Sequence, residues 1–184
     1  MATFYLDIET TGLDPRKDKI ITIQFQELDR YTGEAIGDLT ILKEWESSEK
    51  EIISQFMEKS NILSEYDFSF VPVGYNLGFE HDFIKIRSEL NSLPSLDILH
   101  CPFIDLRPIG ILMNAGQFKG SGLSDITNKK GIGMQIPGWY ERKEYDKIID
   151  YIENETEEFI KFNMWLYTKM PSLLPELKKD MGGD

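Results

Sequence analysis

The spacing of apolar and polar residues changes several times along the chain, and each change marks an element. From Thr3 to Ile8, the residues Phe4, Leu6 and Ile8 alternate with Thr3, Tyr5 and Asp7, the period of two expected of a strand. Thr10-Thr11-Gly12-Leu13-Asp14-Pro15 is turn chemistry. A second strand is expected from Lys19 to Leu28, on Ile20, Ile21, Ile23 and Phe25, and a third from Leu39 to Leu42. The two should form a hairpin turning around Arg30-Tyr31-Thr32-Gly33-Glu34.

Ser47 or Ser48 can cap a helix carrying Ile52, Ile53, Phe56 and Met57, with Glu51 in its first turn. Phe68 to Tyr75 reads as a fourth strand, made irregular by Pro72. Phe79 to Leu90 has Phe83, Ile84, Ile86 and Leu90 at helical spacing, and Phe103 to Leu106 reads as a short fifth strand. A small helix is expected from Gly122 to Lys130, stopped by Gly131. A long amphipathic helix follows from Glu141 to Met170, ended by Pro171.

Three strands followed by alternating helices and strands argue for an α/β domain with a mixed five-stranded sheet flanked by helices. Residues 1–171 read as one domain, and 172–184 as a short exposed tail. A chain of 184 residues is long enough to bury a full core. No apolar run approaches the roughly 20 residues needed to span a bilayer. The N-terminus has no basic region before its first acid, so no signal peptide is expected. Cys101 is the only cysteine, which excludes an intrachain disulfide and a cysteine-rich zinc site. A cytoplasmic setting without a membrane fits these features.

The formal net charge of −12 excludes a broad basic surface for long duplex nucleic acid. It is compatible with an enzyme that takes one strand end and uses bound cations as its positive charge.

Candidate chemistry begins at Asp7 and Glu9. Two residues apart on a strand, they leave the same face, opposite Phe4, Leu6 and Ile8. Paired carboxylates repel unless a cation lies between them, and a hard divalent ion with oxygen ligands answers that need. The spacing alone describes equally well a strand that runs out into solvent at Asp7, with Glu9 in the following loop. A second signal lies in the long helix. Ile148, Ile152, Phe159, Phe162 and Leu166 form a stripe whose missing step is Glu155. An acid in an apolar stripe needs a cation, either a basic side chain or a metal. Tyr151 stands one turn earlier on nearly the same face.

Phe4-Tyr5-Leu6-Asp7-Ile8-Glu9-Thr10-Thr11-Gly12-Leu13 resembles the first motif of the DEDD (DnaQ-like) exonucleases, a hydrophobic residue followed by D-x-E-T-T-G-L. Val73 to Ile84 resembles that family's second motif, with Asn76 and Phe79 matched and Glu80 where the family usually has Asp. Asp82 is the alternative, two residues further on a different helical face. Tyr151-Ile152-Glu153-Asn154-Glu155 resembles the third motif of the tyrosine subclass, Y-x-x-x-D, again with Glu for Asp. The only histidines, His81 and His100, do not fit the histidine subclass. Asp105-Leu106-Arg107 and the segments Phe118 to Ile126 and Lys130 to Ile132 resemble, more weakly, the proofreading domains of family B DNA polymerases.

The resemblance implies a ribonuclease-H-like fold and a metal-dependent 3′–5′ exonuclease. Asp7, Glu9, Glu80 and Glu155 would hold two divalent cations, Mg²⁺ or Mn²⁺, about 4 Å apart. Tyr151 would orient the attacking water. Thr10, Thr11, Gly12 and Leu13 would meet the terminal nucleotide, with Gly12 allowing close approach and Leu13 wedging against the base; Asn76 and Phe79 would complete the substrate site. The implied partner is a nucleic-acid 3′ end, single-stranded DNA or RNA, with association with replication or repair proteins a further implication. Lys119, Lys129, Lys130, Arg142 and Lys143 form a basic group that either guides the strand or is ordinary solvated charge. His100 and Cys101 are expected to be packing residues. Because glutamate stands at two of the four acid positions, a catalytically inactive ribonuclease-H-like binding or scaffolding module is the alternative, and a phosphodiesterase for dinucleotides or other small substrates a third reading.

Overall fold

The computed structural model describes residues 2–66, 68–100, 102–127 and 133–182. Five strands form one sheet: β1 (Thr3–Thr10), β2 (Ile20–Leu28), β3 (Ala35–Lys43), β4 (Val71–Gly74) and β5 (Ile104–Asp105). Their order is β3-β2-β1-β4-β5, antiparallel from β3 to β1 and parallel from β1 to β5. The helices are α1 (Glu49–Ser60), α2 (Leu77–Leu90), α3 (Arg107–Met113), α4 (Leu123–Ile126), α5 (Ile136–Glu141) and α6 (Tyr145–Asp180). This is the expected ribonuclease-H-like α/β architecture, a mixed five-stranded sheet flanked by helices.

β1 is central and is covered on both sides. Leu6, Ile8, Ile23 and Phe25 pack against Ile52, Ile53 and Phe56 of α1 and Phe83 and Ile84 of α2. On the other side Tyr5, Leu28 and Val73 meet Phe159, Phe162 and Leu166 of α6, with the Tyr5 and Phe159 rings 4.7 Å apart. The face carrying Asp7 and Glu9 is therefore a second core face, which period-two patterning does not reveal. Thr3, buried on it, saturates its hydroxyl by donating to the Leu28 carbonyl at 2.8 Å.

Ser48 caps α1 by accepting from the Glu51 amide, and Asn61 closes that helix in the left-handed conformation, at φ 53°. Glu49 is buried where α1, α2 and β2 meet. It takes Arg87 on both carboxylate oxygens (2.8 and 2.6 Å), the Ile20 amide (2.8 Å) and the Asn91 amide (3.0 Å). Pro72 sits inside a regular strand because the Val71 amide already points to β1, donating to Ala2. The Pro72 nitrogen faces the other side, where β5 reaches only Val73 and Gly74, so no ladder bond is lost.

Several expected boundaries move. The third strand is nine residues rather than four, and the fourth shrinks to Val71–Gly74. α5 was not anticipated, and α6 starts at Tyr145 after Lys143 takes a φ of 58°. α6 does not end at Pro171. It continues through Pro171 and Pro175 to Asp180, with its last two turns exposed. A proline removes one amide donor but leaves the other intrahelical bonds available, and in a solvent-facing turn water satisfies the freed carbonyl. The proposed helix stop at Gly131 lies outside the described residues. No helix among the described residues is long and apolar enough to cross a membrane.

Candidate active site

Asp7 lies in the middle of β1, directly across the antiparallel ladder from Gln24. Gln24 is wholly buried and donates its amide to Asp7 Oδ2 at 2.8 Å, while its own carbonyl accepts from the Thr22 hydroxyl at 3.0 Å. The Tyr5 hydroxyl donates to the same Asp7 oxygen at 3.3 Å. Neither Gln24 nor Tyr5 was singled out from sequence. β2 also carries Thr22, Gln26 and Glu27, so nothing local marks Gln24; only the register of β1 and β2 sets it against the first acid.

Glu80 is buried in the first turn of α2 and its carboxyl reaches Asp7. Burial raises the Glu80 carboxyl well above the usual range, and the Asp7 charge pushes it further. Asp7 is raised as well, by burial, against the lowering effect of the Gln24 hydrogen bond. Two carboxyls in contact each disfavour ionisation of the other. Glu80 Oε2 is buried with no hydrogen-bond partner. Asp82, two residues on, is exposed.

Glu9 and Glu155 are both half-buried and converge on the same region. The Tyr5 phenol is pushed well above its ordinary pKa by burial first, then by Asp7, with Glu155 and Glu9 adding to it. A cleft of about 330 Å³ opens beside Asp7. Tyr5, Asp7, Tyr151 and Glu155 line it, together with Gly122 to Ser124, Gly133 and Met134. A Cβ on Gly133 would come within 2.9 Å of the Tyr151 hydroxyl, so the backbone passes close to that phenol. Tyr151 and Glu155 are thus brought into one space with Asp7 by the α6 stripe. Among the described residues, no three His, Cys, Asp or Glu side chains are drawn together tightly enough to ligate one ion.

The β1–β2 connection is folded on itself. Thr10 donates to the Gly12 carbonyl at 2.6 Å, and the Thr11 hydroxyl accepts from the Lys19 amide at 3.0 Å. Gly12 leaves room for the Asp18 carboxylate, which would lie 2.4 Å from an added Cβ and which accepts from the Asp14 amide. Space at Gly12 is therefore used within the loop. Leu13 projects from it, 84% exposed. Asn76 adopts a left-handed conformation, φ 78°, at the start of α2, and Phe79 packs on Phe83 at 4.8 Å. Glu9, Glu80, the Thr10–Leu13 loop, Asn76 and Phe79 lie outside the wall of the cleft itself.

Asp105, noticed in sequence only as part of a weak pattern, organises the junction behind the cleft. Its Oδ1 accepts from the amides of Asn76 (2.8 Å) and Arg107 (2.9 Å), and its Oδ2 from that of Leu77 (3.1 Å). His100 is exposed rather than packed, because it lies in a surface turn after Asp97. His81 is half-buried, its Nδ1 3.4 Å from Asp97. Lys119, Arg142 and Lys143 are exposed and outside the cleft wall, and Arg142 pairs with Glu144 at 3.0 Å. Lys129, Lys130 and Cys101 lie outside the described residues.

Comparison with known proteins adds context to this geometry. Over 177 residues the chain is 28% identical to the uncharacterized protein MJ0365 of Methanocaldococcus jannaschii, covering 85% of this chain and 90% of that one. Its fold is similar to E. coli exonuclease I in a zinc-bound complex with single-stranded DNA, with a TM-score of 0.63 at 12% identity. It is similar also to that enzyme in complex with a dT13 oligonucleotide, with a TM-score of 0.59 at 13% identity. These alignments take in 97% and 96% of this chain but only 43% of the exonuclease I chain in each case. The RNase_H superfamily model matches residues 4–167, so the chain belongs to the RNase_H superfamily.

Proposed function

We propose that the protein is a metal-dependent 3′–5′ exonuclease that removes nucleoside monophosphates from the end of single-stranded DNA or RNA. The observation that carries this reading is the half-buried Asp7 against the buried Glu80, with one Glu80 oxygen unpartnered, set beside a cleft that holds Tyr151 and Glu155. A buried carboxyl with an orphaned oxygen, set against a second acid, suits a hard divalent cation. The exonuclease I relatives in complex with single-stranded DNA support a strand end as the substrate.

Asp7, Glu9, Glu80 and Glu155 would hold two divalent ions, Mg²⁺ or Mn²⁺. Divalent ions held there would supply an activated water and a positive charge for the leaving 3′ oxygen. Gln24 and Tyr5 fix the orientation of the Asp7 carboxylate by donating to one of its oxygens. The Tyr151 hydroxyl, on the wall beside Asp7, accepts a hydrogen bond from the attacking water and aims it. Leu13 and Phe79 offer apolar contact to the terminal base, and Asn76 a polar one. An acidic site of this kind does not need a basic surface, because the cations meet the phosphate charge.

The test is incubation of end-labelled single-stranded DNA and RNA with Mn²⁺, comparing wild type with Asp7→Ala. Stepwise shortening from the 3′ end, lost in the variant, is the expected result. Equal inertness of both would replace this reading with that of a binding or scaffolding module, and cleavage confined to dinucleotides with that of a small-substrate phosphodiesterase.

A further inference from the structure

Among the described residues, Arg107 is the one basic residue in the wall of the cleft. Its main chain is pinned. The Arg107 amide donates to Asp105 Oδ1 at 2.9 Å, the Leu106 amide donates to the Gly74 carbonyl at 2.9 Å, and Pro108 fixes the next φ. The side chain is half-buried beside the Tyr75 phenol, whose ionisation it favours against the opposing effect of burial.

An arginine in so acidic a chain would be expected to pair with a carboxylate. Asp105 is the nearest acid in sequence, but its oxygens are taken up by three backbone amides. Asp7, Glu155 and Glu158 line the same cleft. Even so, the Arg107 guanidinium makes no ion pair among the described residues. An arginine whose main chain is fixed at the edge of the cleft and whose guanidinium has no carboxylate partner among the described residues is suited to an anion that arrives with a ligand. Its planar fork matches two phosphate oxygens at once.

We propose that Arg107 is the phosphate anchor of the cleft, gripping the phosphate of the nucleotide seated beside Asp7 and Tyr151. This rests on the nuclease reading above for the identity of the ligand, and adds to it a second, metal-independent source of positive charge. Cations held by the acids of β1 and α2 would meet the phosphate from one side, and Arg107 meets it from the β5–α3 junction. The anchor selects phosphorylated ligands over their nucleosides, whatever the base.

The experiment is calorimetric binding of thymidine monophosphate and of thymidine, in the presence of Ca²⁺, to wild type, Arg107→Ala and Arg107→Lys. Wild type should prefer the monophosphate. Arg107→Ala should weaken monophosphate binding by roughly ten- to a hundredfold and leave thymidine unchanged, as loss of a charge-assisted bidentate contact implies. Arg107→Lys keeps the charge without the fork and should fall between. Unchanged monophosphate affinity in Arg107→Ala, or wild-type indifference to the phosphate, overturns the proposal. If Arg107→Ala fails to fold by circular dichroism, Arg107→Gln and Arg107→Lys give the same readout. The nuclease reading fails separately. Wild type inert on every oligonucleotide, yet with an Arg107-dependent preference for the monophosphate, would leave the anchor standing and the hydrolysis refuted.

Discussion

Gln24 and Asp7 face each other across the β1–β2 ladder, and the Gln24 amide donates to the Asp7 carboxylate at 2.8 Å. Because Gln24 is fully buried and its carbonyl is occupied by Thr22, it can offer Asp7 only its amide. Gln24→Leu takes away the donor to Asp7 and the acceptor for the Thr22 hydroxyl. The variant should lose about 1–3 kcal/mol of stability in urea denaturation. It should also need roughly ten- to a hundredfold more Mn²⁺ for half-maximal cleavage, as expected when the group orienting a ligand is removed. An unchanged metal requirement would mean that Gln24 is only structural.

The Asp7–Glu80 pair makes stability depend on pH in a definite direction. Asp7 and Glu80 both have folded-state values raised above those of the unfolded chain. Such groups contribute stability that is fully present below the unfolded pKa, about 4 for carboxyls, and lost as pH rises through the folded value. Asp14, Asp29, Asp97 and Glu144 are lowered instead, so their contribution is present at neutral pH and lost in acid. The difference between wild type and Glu80→Gln isolates the first effect. In EDTA, Glu80→Gln should melt progressively higher than wild type as pH is raised from about 4 to about 8. Millimolar Mn²⁺ should raise the melting temperature of wild type and have little effect on the variant. Parallel pH curves in EDTA would count against the pair.

Tyr151 shares the cleft with Asp7 but makes its packing contact through the ring, 6.5 Å from the Trp139 ring centre. Tyr151→Phe keeps that ring and removes the hydroxyl. It should lower kcat by roughly a hundredfold, within the range for loss of a group that assists proton transfer, with KM and melting temperature little changed. A rise in KM at constant kcat would instead assign the hydroxyl to substrate binding.

The Glu49–Arg87 pair is a test of the frame rather than of the chemistry. Arg87→Met strands a buried carboxylate that still accepts the Ile20 and Asn91 amides. A loss of about 3–5 kcal/mol in urea denaturation is expected. The double change Glu49→Gln with Arg87→Met should recover a large part of it, since the glutamine carbonyl can keep the Ile20 amide. Equal losses in single and double variants would show that packing, not charge, holds this junction.

Period-two alternation correctly placed Leu6 and Ile8 in the core, and helical spacing correctly identified Glu155 as an interruption of the α6 stripe. Alternation could not say that Tyr5 and Thr3 would also be buried, because a strand covered on both faces needs only one face to look apolar when the other carries tyrosine and threonine. The Gly12 position shows a different limit. A glycine between Thr11 and Leu13 invites a reading of close ligand approach, yet the space is filled from within by Asp18, six residues away, through contacts that no local pattern encodes. Pro171 marks a helix end by sequence rule, but on an exposed face the cost of one missing donor does not stop α6. Gln24 and Asp105 were illegible for a related reason, since their importance depends on register and on a junction between distant segments.

Asp105 joins two parts of the chain that sequence keeps apart. Its two oxygens bind the backbone at the start of α2 and at the start of α3, so the stretch from Asn76 to Arg107 begins and ends at one carboxylate. β5 contributes only two paired residues, and the sheet therefore does little to set this spacing. The segment that follows α2 is tied down separately, by Leu96 and Ile98 in the core beside Phe83 and Ile84 and by Asn91, which donates to Glu49. Substitutions at its exposed positions Pro94 and Ser95 should be silent in activity, whereas truncating Leu96 or Ile98 should cost stability while Asp105 keeps the two helix starts together.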